Sequence, residues 1–235
     1  DAQPIEAINR PIDAPPDGGV GVWMFWADAE AETRARAVLS AEEIEDLDRL
    51  AVDRDRRTRA VSRAVWRRAA AGMLKTSPEG VVVERTPYGR PCPSGLDRTV
   101  GDLSTSHAGN LVTLAVGRGV RVGVDVEATA GATVDDHVNR AVETVTGPAI
   151  ELIPDRTERM LFAWCVLEAL LKADGRGMHL SPGQVSTDIR TLWGWNAAWV
   201  GGAAWWVRRF ATPAGYVGAV AAASPVIELA FHDPD

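Results

Sequence analysis

Strand-like and helix-like segments recur in the order strand–helix–strand on both sides of residue 118 in this 235-residue chain. That order confines the fold to an α+β arrangement, two halves around one cleft. In the first half, residues 21–26 form a short apolar strand candidate, and Ser40 with Glu43 three positions later marks a helix start. Residues 81–83 and 111–116 read as further strands, the first ending at the turn Pro87-Tyr88-Gly89-Arg90-Pro91. In the second half, residues 119–127 alternate, with Val122, Val124 and Val126 on one side and Gly123, Asp125 and Glu127 on the other. Residues 154–173 have helical spacing, with Met160, Leu161, Trp164, Leu167, Leu170 and Leu171 apolar and Gly175 and Gly177 as the stop. Five of the nine tryptophans follow in Gly-broken segments that suit a twisted sheet. The expected division is a Pro/Asp/Gly-rich flexible lead-in over 1–19, a first half over 20–118 and a second over 119–235.

Apolar residues make up 46% of the chain and charged residues 24%, which excludes disorder and fibrous classes. The formal charge of −7 excludes a general nucleic-acid or anionic-membrane binder. Lys75 and Lys172 are the only lysines, and the other 23 basic residues are arginines. Eight of these fall in residues 49–68 against Asp53 and Asp55, a local excess of +6 within a remainder of −13. Ala60, Val61, Ala64, Val65 and Ala69 recur there at helical spacing, which leaves Arg56, Arg59, Arg63 and Arg67 on the opposite side. Both a solvated helix face and a local anion site fit that pattern. Cys92 and Cys165 are too few for a disulfide framework, so a reducing, cytoplasmic setting is expected. No apolar run approaches the ~20 residues of a membrane helix.

Asp125 and Glu127, two apart on a strand, project from one face, where a hard cation such as Mg2+ relieves their repulsion. An exposed acidic strand edge fits them as well. Glu168 and Lys172 stand at i and i+4 of an otherwise apolar helix, either as an ion pair or facing a cleft. Ser106-His107 closes a polar loop, 102–109, before a strand. A Ser next to a His in sequence is not a nucleophile–base pair by itself.

Order and spacing join these signals. Gly89-Arg90-Pro91, then Ser106-His107-Ala108-Gly109, then Gly123-Val124-Asp125-Val126-Glu127, then Trp164 to Lys172 with Glu168 between them resembles the 4'-phosphopantetheinyl transferase superfamily, in its long, single-chain, surfactin-synthetase-activating type. The resemblance covers about residues 20–222. It implies a pseudo-dimer of two similar α+β halves with coenzyme A and Mg2+ in the cleft. The implied enzyme moves the phosphopantetheine arm of coenzyme A to a serine of an acyl or peptidyl carrier protein and releases adenosine 3',5'-bisphosphate. By this resemblance Asp125, Glu127 and Glu168 hold the metal, and Asp125, Glu168 and Lys172 form the catalytic set. Glu168 or a water on the metal is the base, and Lys172 contacts the pyrophosphate. Arg90 meets the nucleotide end, and Ser106 and His107 bind phosphate. Arg57 and Thr58, with Arg49 and Arg63 behind them, match the 3'-phosphate contacts.

One position departs from the pattern: Leu167 stands where the family carries lysine, and Arg176 is the nearby cation able to replace it. The departure keeps open a non-catalytic coenzyme A- or carrier-binding relative. An unrelated Mg2+-dependent phosphohydrolase would need a water-positioning residue that the sequence does not offer. The expected partners are a carrier protein from fatty acid, polyketide or nonribosomal peptide synthesis, docking around residues 128–155, and coenzyme A. A monomer is expected.

Overall fold

The apolar run near residue 20 becomes the first strand, β1 (Val20–Trp26), of a computed structural model that describes residues 12–132, 138–139, 143–224 and 229–232. Three helices follow: α1 (Ala29–Arg36), α2 (Ala41–Asp48) and α3 (Asp53–Leu74). Asp28 caps α1 by accepting from the Ala31 N–H at 2.7 Å. Ser40 and Glu43 form the reciprocal capping box expected for α2. The short ribbon β2 (Val83–Arg85) and β3 (Pro91–Pro93) flanks the 87–91 turn. Strands β4 (Gly101–Ala108) and β5 (Leu111–Arg118) complete the first half.

The second half opens with β6 (Val122–Ala128) and β7 (Val145–Thr146), followed by α4 (Arg156–Asp174). It continues through β8 (Val185–Asp188), β9 (Asn196–Val200), β10 (Ala203–Arg209) and β11 (Tyr216–Ala222) to β12 (Leu229–His232). The sheets run β12-β1-β5-β4 and β6-β11-β10-β9-β8-β7. Pairing is antiparallel except at β1–β12 and β7–β8, which are parallel. Strand β12 therefore completes the first sheet although it lies beyond residue 118.

Each sheet carries helices on one face. On the first, Ala60, Val61, Ala64 and Val65 of α3 pack with Leu103, Val112 and Leu114. On the second, α4 packs Phe162, Val166, Leu170 and Leu171 against Val207, Val217 and Ala219. Helix α4 is apolar nearly all round because the fold surrounds it. A third cluster joins the halves: Val20, Val22 and Met24 of β1 meet Val122, Val124 and Val126 of β6. No helix among the described residues is long and apolar enough to cross a membrane.

Three expectations change. The polar loop over 102–109 is a strand, β4. Asp102, Ser104 and Ser106 alternate with Leu103, Thr105 and His107, and the polar set bonds the neighbouring β6 instead of facing water. Residues 81–82 precede β2, with Val81 buried and Val82 exposed. The lead-in is tied down where it is described: Ile12 and Pro15 are buried, and the Gly18 N–H donates to the Arg118 carbonyl at 2.8 Å. Residues 1–11, and within the expected docking stretch residues 133–137 and 140–142, lie outside the described residues.

Candidate functional site

The site forms where the edges of the two sheets meet. Polar side chains of β4 do there what a backbone ladder does elsewhere. The Val122 N–H donates to Asp102 Oδ2 at 2.9 Å, and the Val124 N–H donates to Ser104 Oγ at 3.1 Å. One pleat further on, Ser106 Oγ donates to Asp125 Oδ1 at 2.6 Å. Asp102 is also the anchor for two arginines. Arg98 grips both its oxygens, at 3.0 and 2.8 Å, and Arg90 reaches Oδ1 at 2.9 Å. Arg98 also donates to the Ala173 carbonyl, as does Arg121, which reaches the Asp174 carbonyl as well. Guanidinium groups thus satisfy the end of α4, where the helix dipole favours cations. Gly175, at φ 93°, closes α4 in the left-handed conformation, as its position predicted.

Helix α4 lies directly on the Gly123–Asp125–Glu127 face of β6. A methyl group at Gly123 would sit 2.0 Å from the Ala169 carbonyl oxygen and 2.4 Å from the Ala173 nitrogen. This close approach brings Trp164, Glu168 and Lys172 to the two carboxylates of the strand. Lys172 Nζ donates to Asp125 Oδ1 at 2.7 Å, to Ser106 Oγ at 3.0 Å and to the Val124 carbonyl at 3.3 Å. Asp125 is 4% exposed, and its second oxygen, Oδ2, is buried with no hydrogen-bond partner.

Burial, then the charge of Asp125, pushes Glu127 up to about 7, against the pull of Lys172 and a hydrogen bond with Trp164. Burial raises Glu168 as well, and Lys172 partly offsets it. Burial alone would lower Lys172, but Asp125 and then Glu168 outweigh it and hold the ammonium above its ordinary value. A lysine held in its charged form cannot take the Ser106 proton, so Ser106 and Lys172 are not a nucleophile–base dyad. Nearby Cys165 is fully buried, and its thiol is pushed well up by burial and by Asp125 and Glu127.

Three carboxyl groups with raised or mutually repelling charges and one orphaned oxygen are the donor chemistry of a hard cation. Among the described residues, however, no three such groups are gathered closely enough to hold a metal ion. In this arrangement the counter-charge to Asp125 is Lys172. Asp125, Glu127 and Glu168 are oxygen ligands of the type a divalent cation takes, and their donor atoms stand apart in this structure.

A pocket of about 310 Å3 opens beside this cluster, between the halves. Trp66, Tyr88–Pro91 and Leu103–Thr105 line it from the first half, and Leu171, Lys172, Gly175 and Gly177 from the second. Arg90 is in its wall, with one terminal nitrogen, Nη2, bonded to Asp102, Leu103 and Val122. His107, on the opposite face of β4 from Ser106, keeps an exposed ring. The surrounding protein, then the charges of Lys172 and Arg59, lowers its pKa.

The arginine window divides sharply. Arg56 binds Glu32, Arg63 binds Asp46 and the Glu43 carbonyl, and Arg67 is buried against Glu43 and the Pro78 and Val81 carbonyls. These three bolt α3 to α1, α2 and the segment after α3. Arg49 pairs with Glu45 and Asp46 on exposed α2, and the buried Thr58 hydroxyl donates to carbonyls of its own helix. Arg57 lies 3.8 Å from Glu32 and 3.9 Å from Asp53. Arg59 has no hydrogen bond or ion pair among the described residues, and its charge is felt at His107.

Leu167 is 1% exposed and belongs to the core under α4, so its apolar character serves packing. Arg176 is held by Asp174 through two nitrogens, at 2.6 and 3.0 Å. Sequence reasoning missed Asp102 and Arg98 as the tie between the halves. The period-two polar pattern from Asp102 to Ser106 was the available signal.

A family model described as 4'-phosphopantetheinyl transferase, N-terminal, matches residues 25–118. No curated protein matches the chain. The match supports the phosphopantetheinyl transferase superfamily and a transferase role in general. It ends before β6, so Asp125, Glu127, Glu168 and Lys172 lie beyond it.

Proposed function

We propose that this protein transfers the 4'-phosphopantetheine arm of coenzyme A to a serine of an acyl or peptidyl carrier protein. The observation that supports this most is the junction itself. A pocket walled by the matched first half shares Lys172 with the Asp125, Glu127 and Glu168 cluster of the second. The two halves are read as a pseudo-dimer, a helix-backed sheet each, which makes a monomer sufficient.

In the reaction, the carrier serine Oγ forms a bond to the phosphorus that bears the pantetheine arm. The bond from that phosphorus to the bridging oxygen breaks, and adenosine 3',5'-bisphosphate leaves with the electron pair. Glu168, whose carboxylate burial makes a stronger base, takes the serine proton. Lys172 directs an ammonium at the pyrophosphate, where negative charge accumulates. Asp125, Glu127 and Glu168 would hold Mg2+, which supplies Lewis-acid stabilisation of the same charge. Asp102 with Arg90 and Arg98 keeps β4 in register with β6, so that Ser106 and Asp125 stay opposed.

Incubation with apo carrier protein, coenzyme A and Mg2+ should add one phosphopantetheine to the carrier, read by intact-mass analysis. Absence of transfer to several carriers, with coenzyme A still bound, would favour the non-catalytic binding reading instead. For the terminal 3'-phosphate we assign Arg59 rather than Arg57, Thr58 or Arg49, because Arg59 alone of these has no hydrogen bond or ion pair among the described residues and its charge reaches His107. Arg59→Ala should weaken coenzyme A about tenfold while changing 3'-dephospho-coenzyme A little, in line with one charge-assisted contact. Equal weakening of both ligands would remove the assignment.

A further inference from the structure

We infer that Lys172 is a two-position latch: its ammonium occupies Asp125 until a divalent cation takes that carboxylate, and it then swings into the adjoining pocket. The inference rests on the proposed reading of Asp125 as a cation ligand. Three observations support it. The three donor hydrogens of the ammonium match three acceptors, Asp125 Oδ1, Ser106 Oγ and the Val124 carbonyl. The same side chain lines the pocket between the halves, so the outward position borders the inward one. Asp125 Oδ2 has no partner, so the carboxylate retains an unused oxygen on the buried side.

In the inward position all three ammonium hydrogens are taken, so the side chain meets a pocket anion only by giving up a bond, and a divalent cation at Asp125 would repel the ammonium from that carboxylate. The inward position therefore keeps the carboxylate compensated while the site is empty. It also makes cation and pocket anion bind cooperatively, since each favours the outward position. By linkage, the cation must strengthen anion binding by the same factor that the anion strengthens cation binding.

The chain's two lysines make the test direct. With 13Cε/15Nζ-labelled lysine, the intact protein gives two side-chain signals, and Lys75→Arg assigns them. Without metal, the Lys172 ammonium protons should be protected from exchange. MgCl2 alone should shift the Lys172 signal and abolish the protection, leaving Lys75 unmoved. Asp125→Asn should place the Lys172 signal at its displaced position before any metal is added. Lys172→Gln should bind Mn2+ alone about tenfold more tightly than the parent, by electron paramagnetic resonance titration, because the competing cation is gone. An unchanged Lys172 signal at saturating Mg2+ would overturn the latch while leaving the transferase reading intact. Exchange at Lys172 without any carrier modification would do the reverse. Failure of Mn2+ and Mg2+ to bind at all would overturn both the latch and the metal site.

Discussion

Asp125→Asn should yield a folded protein whose carrier-modifying activity is down about a hundred- to a thousandfold, the loss typical of removing one electrostatic group from a reacting centre. The substitution keeps the shape of the side chain and removes its charge. Lys172 then loses the partner at 2.7 Å, and the buried face loses the oxygen that has no protein donor. Breaking a fully buried pair costs about 3–5 kcal/mol, and the partial exposure of Lys172 should bring the stability loss below that range. Intact-mass assay gives the activity and urea unfolding gives the stability. Activity within about threefold of the parent would remove Asp125 from the reaction.

Gly123→Ala should destabilise the protein severely. Its new carbon would fall 2.0 Å from the Ala169 oxygen and 2.4 Å from the Ala173 nitrogen. Both are backbone atoms of α4, so no side-chain rotation relieves the overlap. The helix must lift off β6, and the second core, to which Val166, Ala169 and Leu170 belong, loosens with it. Ordinary overpacking costs about 1–3 kcal/mol, and a rigid backbone clash should exceed about 3 kcal/mol. Low soluble yield or an early urea midpoint is the expected result. Stability within about 1 kcal/mol of the parent would show that α4 and β6 have slack. Catalysis would fail with the packing, because the same clearance sets how near Glu168 and Lys172 come to Asp125.

Residues governed by local rules were legible without coordinates. The Ser40 capping box, the Gly175 stop, the alternation at β6 and the i, i+4 relation of Glu168 and Lys172 each depend on neighbours within a turn or two. The arginine window illustrates the limit. Helical spacing places Arg56, Arg59, Arg63 and Arg67 on one side, but only the tertiary positions of Glu32, Asp46 and Glu43 determine which of them remain available. The run around Ser106 shows another limit. A polar strand reads as a loop when its polar side chains are there to bond a strand, β6, that begins some twenty positions later in the chain. Leu167 likewise reads as a missing cation in a motif, and in the fold it is a core residue.

The parallel contact between Val20 and Leu229 gives the order of assembly a direction. The segment that matches the family model, residues 25–118, contains β4, β5, all of α1–α3 and only the last two residues of β1, so it cannot finish that sheet. One edge of β1 waits for β12, and the β1 face that carries Val20, Val22 and Met24 waits for β6. During synthesis the first half must therefore remain open until the second has been made, with a bare strand edge and an apolar face exposed meanwhile. A fragment covering only residues 25–118 should aggregate, and refolding of the whole chain should be limited by this long-range closure, well after the helices have formed.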